Sequence, residues 1–182
     1  FRRHTAEAKD AIEQALGAAV AGYRAPMFSL TPAVPWAADV IRELGFRYSS
    51  SIIPARTPTA GWPGAVETPF MWPNGLIEFP VPLLHLGGLR LPYLGGVYLR
   101  YAPAFLIRHG IARAPEGAVL WTYCHPYDID AEEKFYIFPD APFWASFLLN
   151  FNRRGMLAKL DGILTRGVKR RFIDLANTLR AS

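Results

Sequence analysis

His125 is followed by Pro126, Tyr127, Asp128, Ile129 and Asp130, and this run comes directly after the apolar, β-prone segment 118–124. An imidazole at a strand end with two carboxylates close by has the composition of a general acid or base working near neutral pH. The plainer alternative is a loop histidine bonded to backbone. Arg24 lies in Gly22-Tyr23-Arg24-Ala25-Pro26, at the end of a short apolar segment. A charge there is costly unless paired, so a carboxylate partner is expected, either as a structural ion pair or as part of a site. Asp128 and Asp130 lack a nearby second histidine and read more simply as solvated or capping carboxylates than as metal ligands. His85 and His109 read as structural. Cys124 adjoins His125, but successive strand residues face opposite sides, so a buried structural thiol is expected rather than a nucleophile. Trp62 and Trp72 fall in a Pro/Gly-rich stretch where indole faces can stack on sugar rings, whereas Trp36, Trp121, Tyr23, Tyr48 and Tyr127 read first as core.

These residues need elements to hold them. Apolar spacing predicts a helix over 5–16, stopped at Gly17, and a second over 36–44 with Pro35 before it and Gly45 after it. Short strands are expected near 18–25 and over 46–53, the second closed by Pro54. Residues 54–75 show no periodic segment and predict a long loop; 76–80, 83–86 and 89–94 are short extended candidates. A helix over 101–114, a strand over 118–124, an aromatic loop over 135–151, a helix over 153–165 and a last amphipathic segment ending near Leu179 complete the order. Alternating strands and helices with polar residues at the strands' carboxyl ends favour a parallel α/β sheet or barrel that binds ligands at that face. Only about three such units fit before residue 125, and a closed eight-unit barrel needs about 250 residues. Within a single domain over 1–182, either the sheet is open or part of a barrel is missing from the front.

Composition narrows the classes. With 182 residues, 51% hydrophobic, the chain can bury a sizeable core. The net charge of +5 accompanies only 19% charged residues, and no basic run is interleaved with aromatics, so dedicated nucleic-acid binding is not expected. One cysteine excludes an intrachain disulfide, and no Cys/His cluster has zinc spacing. The apolar stretches fall short of the roughly 20 residues of a membrane span. Fifteen glycines and sixteen prolines exceed ordinary usage and predict long, shaped loops.

Several segments, in order, resemble the polysaccharide deacetylase family, the NodB homology domain of carbohydrate esterase family four, and within it the bacterial branch associated with exopolysaccharide and exosortase loci. They are Gly22-Tyr23-Arg24-Ala25-Pro26-Met27-Phe28-Ser29-Leu30, Trp36-Ala37-Ala38-Asp39-Val40-Ile41 and Phe46-Arg47-Tyr48-Ser49-Ser50-Ser51-Ile52-Ile53-Pro54, then Leu76-Ile77-Glu78-Phe79-Pro80, Gly95-Gly96-Val97-Tyr98-Leu99-Arg100 and Tyr123-Cys124-His125-Pro126-Tyr127-Asp128-Ile129-Asp130. The resemblance implies a distorted, incomplete (β/α) barrel that removes acetyl groups from acetylated sugars with a divalent metal, commonly zinc. It implies that Arg24 pairs with the aspartate acting as catalytic base, that Pro26 shapes the substrate groove, with Tyr23, Trp62 and Trp72 as groove residues, and that His125 is the general acid that protonates the departing amine or alcohol. Tyr123 stands where the family usually has leucine, and Ser49 where this branch usually has aspartate.

The family places its metal ligands, an Asp-Asp pair and a His-x-x-x-His pair, before the first matched strand, and neither pair is in this sequence. The chain, which opens at Phe1, is therefore expected to be the carboxyl-terminal part of a metal-dependent deacetylase whose barrel lacks its first strands here. It would hold no metal itself and be inactive alone. Its partner would be an acetylated polysaccharide or oligosaccharide, and the resembling branch points to the bacterial cytoplasm. Two alternatives stand beside this reading: a carbohydrate-binding or scaffold domain without turnover, and an amidohydrolase acting on a small C–N substrate.

Overall fold

The run of helix formers near the amino terminus folds as α1 (Arg2–Leu16), and Gly17 ends it at φ 62°, where its N–H reaches Glu13 O. The computed structural model describes residues 1–57, 60–137, 139, 142–165 and 167–181. Contacts divide the chain into two compact units. The first comprises Phe1–Val81, Pro115–Val119 and Arg170–Ser182; the second comprises Pro82–Ala114 and Leu120–Lys169.

The first unit is built on β1 (Gly22–Tyr23), β2 (Tyr48–Ser49), β3 (Phe70–Met71) and β4 (Ile77–Glu78), in the order β1-β2-β4-β3. β1, β2 and β4 run parallel, and β3 pairs antiparallel with β4. Adjacent residues of a strand face opposite sides, and the core divides accordingly. Leu76 packs with Ala38 and Ile41 of α2 (Trp36–Glu43) and with Phe46. Ile77 and Phe79 pack with Ala176 of α8 (Phe172–Ala181), where Phe79 stacks on Phe172 at 4.6 Å. One apolar helix thus covers each face of a short parallel sheet. Gly22 is required by this pairing, since a Cβ there would lie 2.2 Å from the Tyr48 ring opposite. The strands are shorter than the apolar pattern predicts, and β3 falls inside the stretch expected as loop. Trp36, expected in the core, is half exposed and packs edge-on against Phe1.

In the second unit β5 (Leu83–Leu86) and β6 (Leu89–Pro92) form a hairpin turned by Gly87 and Gly88, both at positive φ. Its core gathers Leu84, Tyr93, Leu94, Leu99, Ile107, Met156 and Leu160. The helix expected over 101–114 is instead α3 (Gly96–Tyr101) and α4 (Ala104–Ala112). Pro103 lacks an N–H to donate and holds Ala102 extended, at φ −64° and ψ 125°, which separates the two. The predicted strand over 118–124 does not form. A ladder needs an open partner edge, and only a single bridge, Gly95 to Tyr123, pairs this segment.

Within the segment expected as an aromatic loop lies α6 (Phe143–Asn150). Its sequence, FWASFLLN, is apolar on nearly every side, which hides the helical period. The short α5 (Pro126–Ile129) precedes it and α7 (Met156–Leu164) follows it. Residues 138, 140 and 141 of the expected loop lie outside the described residues. The class is therefore mixed α/β, as expected, but among the described residues no sheet closes into a barrel. No helix among them is long and apolar enough to cross a membrane.

Gly95 tests how the second unit holds its turn. A Cβ at this position would lie 2.1 Å from the Tyr123 ring. Gly95→Ala is expected to cost about 1–3 kcal/mol by overpacking, read as a lower urea midpoint at unchanged slope.

Candidate functional site

His125 ends the extended segment of the second unit and is the N-cap of α5, with Pro126 at the first helical position. Asp128, one turn on, folds back onto it. The Asp128 carboxylate accepts the His125 backbone N–H at Oδ2, 2.9 Å, and the same oxygen lies 3.2 Å from His125 Nδ1. An ionised carboxylate only accepts, so in the tautomer with the proton on Nδ1 the ring donates to Asp128 and Nε2 is the outward nitrogen. Nε2 makes no bond among the described residues, and the side chain is half exposed. Tyr127 stacks on the imidazole at 4.8 Å with the planes nearly parallel, and Tyr123 meets it edge-on at 6.0 Å.

Behind Asp128 stands Arg100 of α3. Its Nε lies 3.0 Å from Asp128 Oδ1, and both side chains are wholly buried. The contact is an ion pair without full hydrogen-bond alignment. The rest of the guanidinium is satisfied by carbonyls at the end of α6. Nη1 donates to Leu149 O and Phe151 O, and Nη2 to Leu148 O. One buried cation therefore joins α3, the carboxylate of α5 and the carbonyls that α6 leaves open at its carboxyl end. The result is an exposed imidazole backed by a buried carboxylate, itself backed by a buried arginine, an arrangement suited to holding and releasing one proton at Nε2.

Asp128 does cap a helix, but it is fully buried rather than solvated. Asp130 is exposed and accepts the N–H groups of Glu132 and Glu133. Cys124, expected to be buried, is exposed, because the extended segment has no sheet to cover it. Burial of its sulfur and the Asp128 charge push its thiol upward, which disfavours the nucleophilic thiolate. Tyr127 is also exposed rather than core. Arg100 escaped the sequence reading as an individual residue. Its signal was a charge inside the apolar run Gly96-Val97-Tyr98-Leu99-Arg100-Tyr101, which requires a buried partner.

Arg24 belongs to the first unit. It is exposed rather than embedded among apolar side chains, its Nε donates to Ser50 Oγ at 2.8 Å, and its guanidinium carbon lies 5.9 Å from the Phe28 ring centre. Pro26 opens a single 3-10 turn, Pro26–Phe28, in which Met27 and Phe28 take φ near +55°, a strained conformation for non-glycine residues. Tyr23 is half-buried against Phe46. Trp62 and Trp72 meet edge-to-face at 5.6 Å, partly buried over Leu30, Ala37 and Ile52.

A buried polar network supports this turn. Ser49, Ser50 and Ser51 are all buried; Ser49 Oγ donates to Ser51 Oγ, and Ser51 Oγ accepts the Ala25 N–H. Glu78, fully buried, accepts the N–H groups of Ser51 and Ile52 on Oε1. Its Oε2 and the nearby Trp72 indole N–H make no bond of full hydrogen-bond geometry. Burial pushes the Glu78 carboxyl upward, opposed by Ser49, the two amides and Trp72. The folded state then binds this proton more tightly than the unfolded chain. Its stabilising contribution is complete at low pH and is lost as pH rises from the ordinary glutamate range through the raised folded value. Glu78→Gln is expected to flatten that decline, read by urea unfolding between about pH 4 and pH 8.

The residues present do not fit a metal. Among the described residues no three His, Cys, Asp or Glu side chains gather to hold one, and the Asp128 oxygens and His125 Nδ1 are already engaged with each other and with Arg100. Among known proteins, the family described as "Domain of unknown function (DUF3473)" matches residues 50–179. No curated protein and no solved structure matches the chain.

Proposed function

The chain belongs to the DUF3473 family, and from that membership and the buttressed imidazole we propose that it takes part in hydrolytic removal of acetyl groups from an acetylated polysaccharide or oligosaccharide. The family's association with polysaccharide deacetylases supports this reading. The observation that carries it is His125, whose side chain is half exposed and whose Nδ1 lies 3.2 Å from the buried Asp128 carboxylate. In the proposed step water adds to the acetyl carbon and gives its proton to the catalytic-base aspartate that the resemblance implies. The C–N or C–O bond breaks, and the doubly protonated His125 ring gives its Nε2 proton to the departing amine or alcohol, so that acetate and the free amine or alcohol leave. Asp128 steadies the charged ring until it gives up that proton, and Arg100 keeps Asp128 in place. By the resemblance, Arg24 of the first unit would pair with the catalytic-base aspartate, and Pro26, Tyr23, Trp62 and Trp72 of that unit are proposed as groove residues.

The parallel β1-β2-β4 sector is read as part of a distorted (β/α) barrel. The divalent metal of such a reaction, zinc by resemblance, would be held by residues outside this chain, and no step above runs through it.

Acetate release from acetylated oligosaccharides by the full-length protein carrying this chain tests the proposal, with small cyclic amides as the competing substrate class. Absence of release from every acetylated oligosaccharide rejects it. A second reading, carbohydrate binding without turnover, is favoured by the exposed Phe143, Trp144 and Phe147 of α6, whose flat faces suit sugar rings. Retained polymer binding without acetate release would select that reading.

A further inference from the structure

In the first unit, the turn leading into β4 is held by arginines from two helices, with a third arginine close to one of them. Arg42, in the last turn of α2, donates from Nε to Asn74 O at 3.3 Å and from Nη1 to Phe46 O at 3.4 Å. Arg180, in the last turn of α8, donates from Nη2 to Gly75 O at 2.8 Å and to Arg47 O at 3.3 Å. Arg47, just before β2, bonds the Asn177 side chain on α8. Arg42 Nε and the Gly75 α-carbon are close enough that a Cβ on Gly75 would lie 3.9 Å from that nitrogen. The Arg42 and Arg180 guanidiniums are thus anchored at the Asn74-Gly75 turn, and the Arg47 guanidinium, held at Asn177, is close enough for its charge to act on Arg180.

None of the three forms an ion pair among the described residues. Of the acidic residues nearest in sequence, Glu43 pairs with Arg2, while the Asp39 carboxylate stands at the same turn and accepts the Asn74 side-chain amide at 2.7 Å, leaving three guanidiniums against one carboxylate. The concentration of like charge opposes folding, and burial together with the charges of Arg42 and Arg47 lowers the Arg180 pKa. Each guanidinium carries five N–H donors, and the carbonyl and amide bonds engage at most two of them. The free edges of three anchored forks match an anion bearing at least two charges and several oxygens. A single carboxylate has neither the charge nor the oxygens to engage all three.

We propose that Arg42, Arg47 and Arg180 form a binding site for the phosphate or diphosphate group of an anionic ligand. The site lies apart from the His125 relay in sequence and owes nothing to the deacetylase reading. Its ligand is either a soluble phosphate ester or a phosphate-bearing lipid headgroup, and the two share this recognition chemistry.

Calorimetric titration of the protein with inorganic pyrophosphate at fixed ionic strength tests the site. One-to-one binding is expected, and Arg42→Gln and Arg180→Gln should each raise Kd by about tenfold or more, the loss of one charge-assisted contact. Arg180 is exposed, so its variant should keep the wild-type circular dichroism and melting temperature. Flotation with phosphatidic acid in phosphatidylcholine vesicles identifies the source. Retention that pyrophosphate displaces points to a lipid headgroup, whereas pyrophosphate binding without retention points to a soluble ligand. Absence of pyrophosphate binding, or a Kd unchanged in both variants, overturns the proposal.

Discussion

His125→Ala is expected to lower kcat for acetate release by about 10²–10⁴-fold in the full-length protein while leaving the fold intact. The fold should survive because the side chain is half exposed and Asp128 keeps its bonds to the His125 backbone N–H and to Arg100. The sharper variant is His125→Asn, whose amide N–H can still donate to Asp128 but cannot carry a titratable proton. If His125 only shapes the loop, asparagine should restore most of the activity lost to alanine. If Nε2 delivers the proton, both variants should be similarly inactive, with substrate affinity little changed because the loss falls on the transition state. Unchanged turnover in either variant refutes the acid role.

Breaking the ion pair behind the imidazole should have the largest effect on stability. Arg100→Met leaves the Asp128 carboxylate buried without its cation and strips the donors from the carbonyls of Leu148, Leu149 and Phe151. A loss of about 3–5 kcal/mol is expected, near the low end of a domain's total stability. Asp128→Asn leaves Arg100 uncompensated in the same buried place and should cost a similar amount. The double variant should cost less than the sum of the two, with a coupling of about 1–3 kcal/mol, because the second change removes a charge already stranded by the first. Urea unfolding of the four proteins measures the cycle. Additive single effects below about 1 kcal/mol would show that the pair does not hold α3, α5 and α6 together.

Much of the local structure was legible from residue patterns. α1, α2, β4, the β5–β6 hairpin and the last two helices follow apolar spacing, proline and glycine at or near the expected places. His125 drew attention through its neighbours alone. Other features were not legible because they depend on what lies alongside. The segment 118–124 has β-prone residues but meets only Gly95 for one bridge, so its strand propensity finds no ladder to join. α6 is apolar all round, so periodicity could not separate helix from loop. Cys124 is exposed for the same reason that its segment is unpaired.

The sequence by itself determined which residue types were available for chemistry and where glycine and proline interrupt the elements. Only the tertiary structure decided the partnerships. It placed Arg100 beside Asp128, 28 positions away in the chain, and gave that carboxylate both the His125 imidazole and a fully buried setting. It likewise brought Arg42 and Arg180 to one turn and set the Arg47 charge beside Arg180. The physical reason is common to these cases. Helical and strand periods are local and survive in a single sequence, whereas the partner of a buried charge is set by which elements pack together, and composition leaves that choice open.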